Sequence, residues 1–179
     1  MKAKWMVRCL LFTIGSALLL AIVTRAGGPI FENSRLASAE TFLSEKPVEL
    51  SDDNLVDGLS ELKLPVPIAK VDLNGAVLSV DLKVTEDRFD KGELYRGIAE
   101  MISFSFERTT NIDQLLLRLV AEDRWLGKRY LLLAADVRRG EWPESALYAL
   151  RTTGNMELPK ELRTWFRVTE TQLWKSGVN

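Results

Sequence analysis

The chain has 179 residues, of which 46% are hydrophobic and 27% are charged, a composition typical of a globular domain and not of a disordered or collagen-like chain. Its 24 basic and 25 acidic residues leave a net charge of -1, so we expect no general attraction to nucleic acid. The sequence contains no histidine and a single cysteine. These absences exclude Ser-His-Asp and Cys-His catalysis, His-ligated metal sites, intrachain disulfides and redox-active cysteine pairs.

The first 25 residues have the pattern of a membrane segment. Three basic residues, the last of them Arg8, precede an uncharged run that ends at Thr24. As a helix, residues 5–24 would span about 30 Å, the thickness of the hydrocarbon core of a bilayer. Because the basic residues precede the run, the positive-inside rule predicts a cytoplasmic N-terminus and an extracytoplasmic remainder. We therefore expect residues 1–25 to form a single-pass anchor in the cell membrane.

A secretory signal sequence is the alternative for the same segment, since it also has a basic start followed by an apolar run. Ala37-Ser38-Ala39 is a pattern that a signal peptidase could cut, although it lies well beyond the apolar run. Cleavage there would give a secreted protein. In either case residues 26–50 are predicted to be a spacer, and residues 51–179 a single extracytoplasmic α+β domain.

A hairpin is the best-determined element of the predicted domain, and a short helix over residues 52–59 precedes it. Two stretches that alternate apolar and polar residues flank Asn74-Gly75, which is typical of a type I′ turn of two residues. With that turn Val71 would face Leu78, and the apolar side chains of both strands would share one face.

An amphipathic helix is predicted after the hairpin. Asp90 is its expected N-cap and Glu93 the second member of a capping box. Apolar residues then recur at helical spacing as far as Phe106, which indicates one buried side.

Two further strands and two helices complete the prediction. The strands run from Gln114 to Ala121 and from Tyr130 to Val137. One helix begins at Pro143, and a longer helix covers residues 159–174. The fold class is therefore α+β: a four-stranded, mainly antiparallel sheet with one amphipathic helix on one face and two C-terminal helices, preceded by the N-terminal transmembrane helix. Because the second face of the last two strands is only partly polar, we expect the C-terminal segment to cover it.

Three pairs of adjacent carboxylates are candidates for acid-base chemistry or calcium binding, and they are Asp52-Asp53, Glu86-Asp87 and Glu122-Asp123. All lie in predicted turns or caps, and none has the spacing of a calcium loop. The sequence also lacks a nucleophile elbow and a glycine-rich phosphate loop. We predict a non-enzymatic protein without catalytic, cofactor-binding or metal-binding residues.

The turn between the third and fourth predicted strands carries the candidate partner contact. Arg124, Lys128 and Arg129 lie there with Trp125. Arginine can donate two hydrogen bonds to one carboxylate, and tryptophan is common in interface hot spots. Two simpler interpretations stay open: the charges keep the strand ends soluble, and the tryptophan folds back over the core.

Residues 68–122 resemble the core of the GerM-type domain of sporulation and germination proteins. The resemblance rests on Asn74 to Leu82, reading Asn-Gly-Ala-Val-Leu-Ser-Val-Asp-Leu, on the helix over 93–108, and on the strand introduced by Asn111-Ile112-Asp113. It implies an envelope-located interaction or ring-building module of a spore-forming bacterium, with no catalytic residues to carry over. The chain differs from the family pattern in lacking a lipoprotein cysteine and in its tail after Val137.

Together these features predict a membrane-anchored, extracytoplasmic protein-interaction module of the bacterial cell envelope. Its expected partner is an envelope protein or a second copy, with no nucleic acid and no cofactor. The alternative is a secreted or tethered domain that binds a small ligand between the sheet and the C-terminal helices, which are rich in leucine and tryptophan.

Overall fold

A computed structural model describes residues 46–85, 89–122 and 127–176. These residues form five helices and five strands in an α+β arrangement. The helices are α1 (Asp52–Ser60), α2 (Lys91–Glu107), α3 (Ser145–Thr152), α4 (Lys160–Trp165) and α5 (Gln172–Ser176). The strands are β1 (Ile68–Asn74), β2 (Val77–Val84), β3 (Gln114–Glu122), β4 (Arg129–Arg138) and β5 (Thr169–Glu170). The predicted membrane segment lies outside the described residues, and no helix within them is long and apolar enough to cross a membrane.

The five strands form one mixed sheet in the order β1-β2-β3-β4-β5. β2 and β3 are parallel, whereas the other neighbouring strands are antiparallel. The predicted four-stranded, mainly antiparallel sheet is therefore wrong in strand number and in antiparallel character, since the sheet is mixed and its β2–β3 pair is parallel. The reason is α2, which crosses over the sheet between β2 and β3 and returns the chain to start β3 in the direction of β2.

The β1–β2 hairpin is present, but its turn lies one residue later than predicted. Gly75 and Ala76 form the loop, and Gly75 has a φ of 59°. A glycine with positive φ at the first loop position is typical of a type II′ turn, which also matches the twist of the strands. As a result Val71 faces Val80 and not Leu78. Since the register moves by two residues, the predicted apolar face is unchanged.

The hydrophobic core lies between the sheet and α2. Side chains from alternate positions of β2, β3 and β4 are buried against it, as the strand periodicity predicts. Burial of each large apolar side chain contributes roughly 1.5–3 kcal/mol. The fully buried members include Leu78, Val80, Leu82, Leu115, Leu117, Leu119, Ile98, Met101, Ile102 and Phe104.

The single long helix predicted over residues 159–174 is wrong. The chain there forms α4, the short strand β5 and α5. Arg167 has a φ of 45°, a conformation that ends a helix. Beyond it the backbone pairs with the edge of β4, where the Thr171 amide donates to the Leu132 carbonyl at 3.0 Å. The periodic apolar residues that indicate one helix, such as Leu162 and Trp174, are buried from separate elements.

The end of the chain packs on the α2 side of the sheet. Trp174 is 1% exposed, stacks on Phe89 with ring centroids 5.1 Å apart, and meets Tyr95 edge to face at 5.6 Å. The prediction that the C-terminal segment covers the other face of the sheet is therefore wrong for Trp174, whereas Arg167 and Thr169 do line that face, where Arg167 is 3.6 Å from Asp136.

Both ends of α2 are held by hydrogen bonds from other parts of the chain. Asp90 is its N-cap and accepts from the Glu93 amide at 2.9 Å, and this bond lowers the pKa of the Asp90 carboxyl. Asn155 accepts from the Gly92 amide at 2.9 Å. At the other end, Arg139 donates to the carbonyls that follow or end the helix, those of Phe106, Thr109 and Ile112.

Arg139→Met should therefore lower the free energy of unfolding by about 2 kcal/mol, because several carbonyls lose a charged donor at once. The neighbouring Arg138→Met is the matched control. Among the described residues the Arg138 side chain forms one solvent-exposed ion pair, with Asp136 at 3.8 Å, so this substitution should cost less than about 0.5 kcal/mol. Denaturant unfolding measures both. Equal losses in the two variants would contradict this role for Arg139.

Tyr95→Phe should raise the free energy of unfolding at pH 8 by about 1 kcal/mol. The Tyr95 side chain is 1% exposed, and its hydroxyl has no hydrogen-bond partner in the described structure, so its removal relieves a desolvation cost. Burial, with the negative charge of Glu170 adding to it, also raises the pKa of Tyr95 to about 12.

The same substitution predicts a pH dependence. The Tyr95 hydroxyl ionises near pH 10 in the unfolded chain, whereas its pKa in the folded chain is about 12. The free energy of unfolding therefore falls as pH rises through this window, by roughly 1.4 kcal/mol at pH 11 from this hydroxyl alone. The variant should lack that part of the loss. Unfolding measured at pH 8 and pH 11 tests both effects, and a less stable variant at pH 8 would show that the hydroxyl is hydrogen-bonded.

Candidate interaction surface

The face of the sheet opposite α2, here called the open sheet face, is the candidate functional surface. It consists of the side chains that alternate with the core positions along β1, β2 and β3 and of their partners on β4. Leu131 is one of these partners because the register shifts between Leu119 and Val120. A shallow cavity of about 450 Å³ lies on it. Its members include Lys70, Asp72, Ser79, Asp81, Lys83, Gln114, Leu116, Arg118, Val120, Leu131, Ala134 and Asp136.

Apolar side chains on this face remain exposed. Leu116 is 37% exposed on β3, and Leu131 is 39% exposed on β4, where it lies opposite Val120. Ala134 lies opposite Arg118, and along β4 it is located between Leu131 and the position opposite Leu116. Sheet positions of this kind are normally buried when a second layer covers them. The exposed apolar side chains therefore form two small areas, Leu116 and the Val120–Leu131 pair, on either side of Arg118.

The charged side chains of the open sheet face hold one another in place. Arg118 binds the Asp81 carboxylate with two hydrogen bonds, at 2.7 and 2.8 Å, from directly opposite positions of β3 and β2. This planar fork-to-carboxylate geometry fixes both side chains. The hydrogen bonds to Asp81 also raise the pKa of the Arg118 guanidinium.

A second ion-pair group lies at the end of the face near the β3–β4 turn. Glu122 is 3.0 Å from Lys83 Nζ and 3.4 Å from Arg129 Nε. The hydrogen bond from Lys83 is the main cause of the lowered pKa of the Glu122 carboxyl. The carboxylate is therefore a fixed acceptor between two cations and not a group that titrates near neutral pH.

Two of the four predicted contact residues are described. Lys128 is exposed just before β4, and Arg129 is exposed at its first position, where it pairs with Glu122. Arg124 and Trp125 lie outside the described residues. The structure therefore joins Arg129 to the margin of the open sheet face. The leucines of that face are candidates that the sequence reasoning missed, although the partly polar pattern of these strands was their signal.

Three members of the predicted acidic pairs lie in the described part of the chain. Asp52 and Asp53 are exposed in the first turn of α1, and Glu122 is engaged by cations. Glu86, Asp87 and Asp123 lie outside the described residues. Within the described ranges, no group of three acidic or cysteine side chains could hold a metal ion.

A charged groove of about 620 Å³ lies between α2 and residues 61–65. Its cations face an internal counter-ion, since Glu100 is 2.8 Å from Arg108 and 3.9 Å from Arg151. Arg96 is 3.7 Å from Glu93. Because its charges are mutually neutralised, this groove does not form a concentrated anion site.

The region between the sheet and the C-terminal helices is filled by packed side chains. Phe166 is 0% exposed, and Leu162 and Trp174 are each 1% exposed. A small ligand bound there would have to displace these side chains, which are the core of this part of the domain.

No protein-family model, curated protein or solved structure matches the chain. The resemblance of residues 68–122 to the GerM-type domain stays a prediction.

Proposed function

We propose that the chain is a non-enzymatic protein-interaction module of the bacterial cell envelope, tethered through residues 5–24, with the open sheet face as its contact surface. The observation that carries this proposal is the exposure of Leu116 and Leu131, by 37% and 39%, on a sheet face with fixed charges around them. Covering such side chains with a partner gains about 25 cal/mol for each Å² of apolar surface removed from water.

The ion pairs of the open sheet face favour a protein partner over other ligands. The Arg118–Asp81 and Lys83–Glu122 pairs present both signs of charge in fixed positions. A partner surface with complementary charges would be selected by them, whereas a polyanion would meet the carboxylates. This supports the expectation that nucleic acid is not the partner.

The packing between the sheet and the C-terminal helices favours this function over the small-ligand alternative. The space that such a ligand would use is filled by buried side chains, and Trp174 is the largest of them. Among the described residues, none has to move before a partner can contact Leu116 and Leu131 on the open sheet face.

A photo-crosslinking amino acid at position 116 of the full chain, expressed in its native cells, should capture an envelope protein or a second copy. The control position is Tyr148 on α3, which is 72% exposed and lies away from the open sheet face. A product at position 116 that is missing at position 148 supports the proposal. No product at position 116, or the same products at both positions, would contradict it.

Leu116→Lys should then weaken binding of the captured partner at least tenfold, because a charge would replace an apolar side chain that the partner covers. Its free energy of unfolding should change by less than about 1 kcal/mol, since the side chain is exposed and Asp136 lies opposite it. Tyr148→Lys should leave binding unchanged. The affinity of the purified pair measures the effect, and unchanged binding by Leu116→Lys would place the contact elsewhere.

The tether is tested by the N-terminal residue and the membrane partition of the native protein. We expect a terminus at Met1 or Lys2 in the membrane fraction, which carbonate washing does not release, because residues 5–24 would be a transmembrane helix. A terminus near Glu40 in the soluble fraction would instead show a secreted domain and contradict the tether.

A further inference from the structure

We propose that a second copy of this chain binds along the outer edge of β1. The two β1 strands run antiparallel, with Val71 of each copy opposite Val71 of the other, and join the two sheets into one. This goes beyond the proposed function, because it uses the edge of the sheet and not its open face. Either surface could serve without the other.

The outer edge of β1 is available for pairing. β1 is the first strand in the sheet order and has seven residues. In the part of the chain that the structure describes, no other strand pairs with its outer side. An edge of this length presents unpaired backbone donors and acceptors to another strand.

The direction of the backbone groups identifies which residues would bind. The Ala76 carbonyl faces β3, because it accepts from the Gln114 amide at 3.1 Å, and the Lys83 amide faces β1, because it donates to the Pro67 carbonyl at 2.9 Å. The backbone amides and carbonyls of the odd-numbered residues of β2 therefore point toward β1. Two of these residues, Ser79 and Asp81, pair with Asp72 and Lys70. The intervening residue of β1, Val71, must direct its own amide and carbonyl outward.

Charge complementarity selects the second copy as the occupant. Lys70 and Asp72 precede and follow Val71 in β1, and their side chains lie on the open sheet face, opposite to that of Val71. Both are exposed, and neither forms an ion pair with another described residue. Pairing centred on Val71 places Lys70 of each copy opposite Asp72 of the other, which gives two ion pairs. The neighbouring two-fold registers would place Lys70 opposite Lys70 or Asp72 opposite Asp72, so the charges favour one register.

An apolar groove of about 580 Å³ lies beside the same edge, on the side of the core, between α1 and β1. Val56 on its rim is 68% exposed. In a two-fold dimer this groove would meet the same groove of the second copy, as isologous interfaces require. Its other lining residues include Leu62, Pro65, Val66, Ile68 and Val71.

The rest of the sheet limits assembly to a dimer. The opposite edge is β5, which has only two residues, and it is too short to extend a row of copies. A register shift between Ile68 and Lys70 also ends regular pairing at the start of β1. Pairing through one edge only gives a closed dimer and not a filament.

Sedimentation equilibrium of the full chain in a mild detergent tests the proposal through charge inversion. Lys70→Glu and Asp72→Lys should each weaken the dimer about tenfold, because each places like charges opposite one another. The double variant Lys70→Glu/Asp72→Lys should restore the wild-type dissociation constant. An equimolar mixture of the two single variants should also dimerise, since a copy with two acidic side chains at these positions then pairs with a copy that has two basic ones.

A wild-type chain that stays monomeric to about 100 µM would overturn the proposal. A dimer that the single variants do not weaken, or that the double variant does not restore, would overturn it as well. Circular dichroism of each variant confirms that it is folded, as expected for exposed side chains. The crosslinking result at position 116 is separate, so failure of the dimer and failure of the open-face contact are distinguishable.

Discussion

The packing of α2 across the parallel pair β2 and β3 is the constraint on which the rest of the domain depends. A parallel pair needs a crossover, and here one 17-residue helix supplies both the crossover and the cover of one sheet face. Its buried residues meet the buried positions of β2, β3 and β4, so a single layer of helix and a single sheet enclose the core. The consequence is that the second face of a central parallel pair is left open among the described residues.

The elements that follow the sheet serve this packing. Arg139 satisfies carbonyls at the end of α2, and Asn155 binds the amide of Gly92 at its beginning. Trp174 packs against Tyr95 on the same helix. The C-terminal segment therefore fixes α2 in position, and on the open sheet face it contributes Arg167 and Thr169 to the lining of the cavity.

Two surfaces remain with unused binding capacity, and they differ in kind. The open sheet face offers exposed leucines and fixed ion pairs, which suit contact with a partner surface of mixed character. The outer edge of β1 offers backbone groups and the Lys70/Asp72 pattern, which suit pairing with a second copy. If both proposals hold, a dimer would present two open sheet faces side by side, and a divalent contact would bind more tightly than either face alone.

The local elements were determined largely by the sequence. Alternation and turn residues located β1 and β2, the capping pattern at Asp90 located α2, and periodicity located β3 and β4, since all these signals act within a few residues. The partly polar pattern of β3 signalled the open face at Leu116. Leu131 has the spacing of the core positions Leu133 and Ala135, and it lies on the open sheet face only because the register shifts between Leu119 and Val120. The tertiary structure decided what local signals do not contain. It placed β2 beside β3, divided residues 159–174 where the edge of β4 offered backbone hydrogen bonds, and moved Trp174 onto α2. It thereby decided which leucines stay in contact with solvent, because burial depends on what the whole chain packs against each face.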